Sequence, residues 1–302
     1  MFWNSLLVLP AHSTRRQLSS HLVTTAFLGM VLTVFSVLSP AQQQTLDQHT
    51  DRSDQQLLLQ FSQQSASQLV ARYFQGPSYP LFVIRRLIDL ADPRVMPDLR
   101  DAFFRETQPL TRQSLAAALV RLRDPDSQYF DYLAAWARDA VSSDLPYSCG
   151  LSMGTTLKGR TEFPLEFIAW ARAHNVALSD ALRRAAIELP AAVEALGEAA
   201  DHRALAILLL GLSSPNGCVV RTSAFALARV HDAIAVERII EACKALRGEE
   251  RPLTAKALLY FDNHGAQRAA ESIIADPVLV RNWRIEVKRR GWKSAMRDRA
   301  IP

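Results

Sequence analysis

The stretch whose reading decides the fold is Val220–Asp232, V-R-T-S-A-F-A-L-A-R-V-H-D. Val220, Ala224, Leu227 and Val230 or His231 fall at helical spacing, so one face of the segment is apolar. Small residues fill much of the remainder, which lets a neighbouring helix approach closely. The segment ends on Asp232, whose short carboxylate suits the cap of a following helix. Similar endings recur in Val120-Arg121-Leu122-Arg123-Asp124, in Leu196-Gly197-Glu198-Ala199-Ala200-Asp201 and in Leu259-Tyr260-Phe261-Asp262.

Working outward, these aspartates set a register. Asp92-Pro93 and Asp124-Pro125 share one device: an N-cap, then a proline at the first helical position, where its missing N–H costs nothing. Two helices are expected between them, over about 94–106 and 110–123, split near Gln108-Pro109. The marks at 92, 124, 201, 232 and 262 are spaced by 32, 77, 31 and 30 residues. A helix–turn–helix unit of about 31 residues accounts for all but the second interval. That interval equals two units plus about 15 residues, with the missing mark near His174-Asn175 and the surplus in Ser142–Glu162. This segment is rich in Gly and Ser and has no periodicity. The architecture predicted is all-α, with Val220, Ala224, Leu227, Leu119 and Leu196 buried between helix pairs.

The pattern resembles HEAT-like repeats, including the short kind named after phycobilisome lyases. The resemblance is sharpest in Val220–Asp232 and in Asp201-His202-Arg203-Ala204-Leu205, and it covers about 92–290. It implies an α–α superhelix, a solenoid in which each helix pair contacts mainly its neighbours, and it implies binding through an extended surface. It also brings rival functions: a DNA alkylation-repair glycosylase, which cradles duplex DNA on a basic face, and a bilin lyase.

The composition agrees with a packed helical protein. About half of the 302 residues are hydrophobic and 22% are charged, with few β-branched runs bounded by turns. The net charge of +5 is uneven: residues 281–302 carry +6, and the rest of the chain is close to neutral. Basic residues gathered at one end do not make the long basic face that a DNA-binding solenoid needs, which argues against a nucleic-acid partner. The tail also holds Trp283 and Trp292, a combination that suits either a lipid surface or the polar terminal cap that a repeat array requires.

The N-terminal region reads as a targeting segment. Arg15 and Arg16 precede an uncharged run from Leu22 to Leu38, 17 residues long, followed by Ser39-Pro40-Ala41. Basic, apolar and small-residue parts in that order describe a secretory signal, or an anchor if uncut. The domain reading is therefore 1–41 signal peptide or membrane anchor, 42–56 polar linker, 57–290 repeat array with an inserted loop at 142–162, and 291–302 basic tail. Such a chain is exported across, or anchored in, the cytoplasmic membrane, and is periplasmic in a Gram-negative host. A cytosolic pigment partner would not meet it there.

Chemistry-bearing residues are sparse. Gly150-Leu151-Ser152-Met153-Gly154 matches G-x-S-x-G, but no hydrophobic strand precedes it and no strand–helix alternation surrounds it, as a nucleophile elbow requires. The seven histidines, at 12, 21, 49, 174, 202, 231 and 264, form no metal-ligand spacing, and His202 and His231 read as turn residues. The three cysteines, at 149, 218 and 243, fit no zinc motif; they read as unpaired core or loop residues, with one pair open to formation in an oxidising compartment. No catalytic, cofactor or metal residues are assigned. The candidate partner-binding residues lie in the inserted loop: Tyr147, Leu151, Met153, Leu157, Lys158 and Arg160. Apolar and aromatic side chains beside cations suit an interface with another protein. The function expected is a non-catalytic protein-binding scaffold; the alternative is an enzyme or nucleic-acid-binding protein on the same fold.

Overall fold

The computed structural model describes residues 63–76, 80–148, 156–157, 160–161 and 163–290. The chain divides into compact units at Gln63/Gln64, and all that follows concerns the second. The expected signal or anchor, the linker and the basic tail beyond 290 lie outside the described residues. No described helix is long and apolar enough to cross a membrane.

The described unit is all-α. Its helices are α1 (Ala66–Phe74), α2 (Pro80–Leu90), α3 (Met96–Arg105), α4 (Pro109–Arg121), α5 (Gln128–Ser142) and α6 (Leu165–Ala173). The seventh, α7, is continuous through Leu178–Arg183, a π-helical turn at Arg184–Glu188 and Leu189–Glu198. Then come α8 (Leu205–Gly211), α9 (Gly217–Val230), α10 (Ile234–Ala245), α11 (Glu250–Ala255, drawn out as a 3₁₀ turn over Lys256–Tyr260), α12 (His264–Ile274) and α13 (Pro277–Arg290). Extended structure is confined, among the described residues, to a two-residue antiparallel ladder and one isolated bridge.

The helix boundaries follow local chemistry. At α1, the Ser65 hydroxyl accepts from the Gln68 amide while the Gln68 side chain accepts from the Ser65 amide, a reciprocal box that opens the helix at 66. At the aspartate marks a more compact device recurs. Ala91, Arg123, Ala200 and His231 have φ of 47°, 61°, 49° and 58°, and each stands directly before a mark. One left-handed residue ends a helix, and the next residue opens the following one. Asp92 accepts from the Arg94 amide at 3.0 Å, Asp124 from Asp126 at 3.1 Å, Asp201 from Arg203 at 2.8 Å and Asp232 from Ile234 at 3.0 Å.

Three details depart from the sequence reading. Pro125 is not the first residue of α5: Asp124 caps the turn, and Asp126 accepts from the Gln128 amide that begins the helix. Asp262 is not the cap of α12; Asn263 accepts from Gly265 and Ala266 instead, at 2.7 and 3.4 Å. A further Asp-Pro pair, Asp276-Pro277, caps α13 through the amides of Val278 and Leu279 at 2.9 and 3.0 Å.

Packing joins α1 with α2, α3 with α4, α5 with α7, α8 with α9, α10 with α11 and α12 with α13. The second members also pack in succession, α2 on α4, α4 on α7, α7 on α9, α9 on α11 and the 3₁₀ end of α11 on α13. Val220, Ala224, Leu227, Leu119 and Leu196 are all buried, as the spacing predicts. One close seam lies between α7 and α9. A methyl group on Gly197 would stand 2.8 Å from the Cα of Ala226, so only glycine permits that approach.

The 77-residue interval packs otherwise than its length implies. A turn does occur at His174–Asn175, with Asn175 at φ 53°. Yet α4 packs directly on α7, and α5 packs on both α7 and α8, while α6 rests on the first turns of α7. The interval holds one interrupted pair, not two pairs and a loop. Helical periodicity is the same in α6 as elsewhere, and periodicity does not record which helix a segment packs against.

Candidate partner-binding segment and its base

The inserted segment leaves α5 at Ser142 and is held to the body within a few residues. Leu145 is fully buried. Tyr147 forms a parallel bridge with Asn216: its amide donates to the Pro215 carbonyl at 3.4 Å, and its carbonyl accepts from the Gly217 amide at 2.7 Å. The Tyr147 ring is half-buried against Phe167, with centroids 6.1 Å apart, and burial raises its phenol pKa above the usual value. On the return side Phe163 stacks on Phe167 at 5.5 Å. The Trp170 indole N–H donates to Asp144 Oδ1 at 2.8 Å. The segment around Tyr147 and α6 thus hold each other through an aromatic cluster with a polar tie at its edge.

The base rests on a buried polar joint. Asn216 is completely buried and uses both ends of its amide. Its Oδ1 accepts from the amides of Cys218 and Val219 at 2.9 and 3.2 Å, capping α9. Its Nδ2 donates to the Ala185 carbonyl at 3.0 Å. That carbonyl is free for a reason legible in the chain. In the π turn the Leu189 amide reaches back to Arg184, so the next amide in line for Ala185 is that of residue 190. Residue 190 is proline, which has no N–H and clashes with the carbonyl of a regular helical turn. The helix widens at Arg184–Glu188, as it does where a proline disturbs the ladder, and Asn216 supplies the missing donor.

The six residues proposed from sequence fall as follows. Tyr147 is fastened to the body by backbone and ring. Leu157 and Arg160 are direct partners in the antiparallel ladder, flanked by Thr156 and Thr161, so the segment has some regular structure. Leu151, Met153 and Lys158 lie outside the described residues, as does Ser152 of the G-x-S-x-G match. The described neighbours of that match are a single bridge residue on one side and a two-residue ladder on the other, not a strand and a helix.

Of the two described cysteines, one agrees with the reading as unpaired core residues and one departs from it. Cys243 is free and buried in α10, and burial pushes its thiol up to about 11. Cys218, at the start of α9, is disulfide-bonded. Sequence reasoning missed this residue, and it missed Asn216, Phe163, Phe167 and Trp170. An asparagine two residues before an apolar helical run is a visible cap signal. Its second bond, to Ala185, has no local trace.

No family model matches this chain, and no curated protein or solved structure matches it. The resemblance to HEAT-like repeats therefore stands on the residues quoted for it.

A second polar feature lies along the row of second helices. Arg85 of α2 reaches Glu194 at 2.7 Å and also pairs with Glu198, both on α7, and Arg229 of α9 lies 3.5 Å from Glu198. Burial opposes the charge on Arg85, but Glu198 and Glu194 outweigh it and raise its pKa. Burial lowers that of Arg229. The Arg229 tie joins neighbouring pairs, whereas the Arg85 ties reach from α2 past α4 to α7. At the far end, Lys256 lies 5.2 Å over the Trp283 ring and pairs with Glu286 at 2.7 Å, which engages that tryptophan in packing.

Proposed function

We propose that residues 64–290 form an α–α superhelix of HEAT-like pairs, and that the protein is a non-catalytic, protein-binding scaffold. The observation that carries this reading is the serial packing of α2, α4, α7, α9, α11 and α13, each with its own first helix beside it. A chain built this way offers a long, continuous surface, and insertions project from one side of it. The inserted segment, with Leu151, Met153, Leu157, Lys158 and Arg160 beyond the anchor at Tyr147, is the proposed contact. Export across the cytoplasmic membrane, or anchoring in it through residues 1–41, completes the proposal. The disulfide at Cys218 supports an oxidising compartment.

The test is site-specific photo-crosslinking of the full chain in its native host. A crosslinker at 157 or 160 should yield discrete protein adducts, and one at Glu241 on α10 should not. Adducts from α10 with none from the insertion would move the binding surface onto the helices. Adducts from neither would remove the scaffold reading.

A further inference from the structure

We infer that the aromatic row on α3 and α5, with Arg112 set over it, is a docking surface for a partner-protein segment that carries an Asp or Glu side chain among apolar residues. The row is continuous. Phe104 stands 5.4 Å from Phe103, Phe103 5.4 Å from Tyr132, and Tyr132 6.4 Å from Trp136, centroid to centroid. Its middle is packed and its ends are open: Phe103 is buried, while Phe104 is 59% and Trp136 37% exposed. Helical spacing explains this. Tyr132 and Trp136 are four residues apart and share one face of α5. Phe103 and Phe104 are adjacent on α3 and diverge by about 100°, so one enters the core and the other leaves it. Arg112, in the first turn of α4, lies over the row, its guanidinium carbon 4.6 Å from the Phe103 ring centre and 5.3 Å from that of Tyr132.

The cation selects the partner. Arg85, Arg100, Arg184 and Arg203 each meet a carboxylate. Among the described residues no carboxylate pairs with Arg112, and its Nε is buried without a hydrogen-bond partner. Two aromatic rings hold the guanidinium in place instead. A cation fixed in advance loses little freedom when an anion arrives, and its planar fork fits a carboxylate. The surrounding charge favours a single carboxylate over a polyanion. Asp98 and Asp131 stand in the first turns of α3 and α5, and Arg105 is paired with Asp101. That mixture is not the basic field that draws nucleic acid. Tryptophan, tyrosine and arginine gathered at a part-exposed site match the composition of binding hot spots, and Phe104 adds apolar area for the residues beside the carboxylate. The surface belongs to α3–α5 and not to the inserted segment, so this inference goes beyond the binding proposal made there and is tested separately.

The experiment is selection of a random phage-displayed peptide library on the full-length protein, with counter-selection on full-length Trp136→Ala. Peptides kept by the wild type and lost from the variant should share an Asp or Glu flanked by apolar residues. A synthetic copy of such a peptide should bind about thirtyfold more weakly to Trp136→Ala and to Arg112→Gln, and about fivefold more weakly to Phe104→Ala. Arg112→Lys keeps the charge but loses the planar fork, and should weaken binding about tenfold. Replacing the acid of the peptide by its amide should match the loss in Arg112→Gln, and the two changes together should cost no more than either alone. Helicity and melting temperature of the variants separate lost binding from lost fold, and Phe104→Ala, at the most exposed position of the row, decides the matter if Trp136→Ala melts early. Failure to enrich any peptide, a consensus without an acid, or undiminished binding by Phe104→Ala and Trp136→Ala would overturn the inference. So would displacement of the peptide from this surface by a single-stranded oligonucleotide at lower concentration than by the peptide itself.

Discussion

The turn at Ala200-Asp201 and the joint at Asn216 both open a helix with a side-chain oxygen, and they are built on different principles. At Ala200-Asp201 everything is local. A left-handed alanine ends α7, and Asp201 caps the next turn through the Arg203 amide and is gripped by the Arg203 guanidinium at 2.7 Å. At Asn216 the cap of α9 is local, but two further partners come from distant parts of the chain: the Ala185 carbonyl in the π turn and the bridge at Tyr147. A local turn can be repeated along the chain, and this one is, at 91–92, 123–124, 200–201 and 231–232. A joint of long-range parts can be made only once, where an interrupted pair has to be closed.

That difference predicts unequal costs. Asn216→Ala removes an N-cap worth about 1 kcal/mol and leaves a buried carbonyl without a donor for about 2 kcal/mol more. Its denaturant midpoint should fall by the equivalent of about 3 kcal/mol. Asp201→Ala should cost about 1 kcal/mol. Equal losses would erase the distinction between turn and joint.

A double-mutant cycle sharpens the account of the π turn. Pro190→Ala restores an amide that can pair within α7. In that background Asn216→Ala should cost about 1 kcal/mol less than it does alone, because the Ala185 carbonyl has another donor. Strict additivity would show that the proline is not what frees that carbonyl.

A smaller effect distinguishes the turns themselves. Ala200 holds φ at 49°, a conformation that an L residue adopts at a cost and glycine adopts freely. Ala200→Gly should raise stability by about 0.5 kcal/mol, the relieved strain exceeding the entropy that glycine adds to the unfolded chain. Ala195→Gly, inside α7, should instead lose about 1 kcal/mol. Two losses of similar size would remove the left-handed residue from the account.

The smallest effect is in pH. Burial alone would raise the Asp201 carboxyl, but hydrogen bonds from the Arg203 side chain and amide outweigh it and hold the pKa below the usual value. A folded pKa below the unfolded one stabilises at pH above the unfolded value, and the contribution is lost as pH falls through the folded one. The turn should therefore weaken below about pH 4, where unfolded carboxylates begin to protonate. Thermal melts between pH 6 and pH 3 should show a steeper loss for wild type than for Asp201→Asn. Asn216 does not titrate, so its own bonds should persist over that range. Parallel slopes would contradict this.

The same contrast governs what the sequence discloses. The all-α class and the burial of Val220, Ala224, Leu227, Leu119 and Leu196 follow from periodicity, which is a local property. Four aspartate marks follow from capping, also local. The left-handed positions escaped notice because Ala91, Arg123, Ala200 and His231 take the place where glycine is the expected signal. Asp262 reads as the cap of α12, but its neighbour Asn263, which that reading leaves out, makes the capping bonds. Asp276-Pro277 carries the same signal as Asp92-Pro93 but falls inside a pair, off the period. The 77-residue interval misled because α6 has ordinary helical spacing, while its place in the packing depends on contacts of Phe167 and Trp170 far along the chain. The bond of Cys218 has no spacing signature at all.

Amide hydrogen exchange at the joint tests the central claim most directly. The account has the insertion fixed to the body through Asn216, so in the full-length wild type the Gly217 amide, bonded to the Tyr147 carbonyl, should exchange as slowly as the amides in the middle of α9. In Asn216→Ala the amides of Gly217 and Tyr147 should lose that protection, while the Arg203 amide at the Asp201 turn keeps its own. Rapid exchange of Gly217 in the wild type, or protection unchanged by Asn216→Ala, would contradict the account.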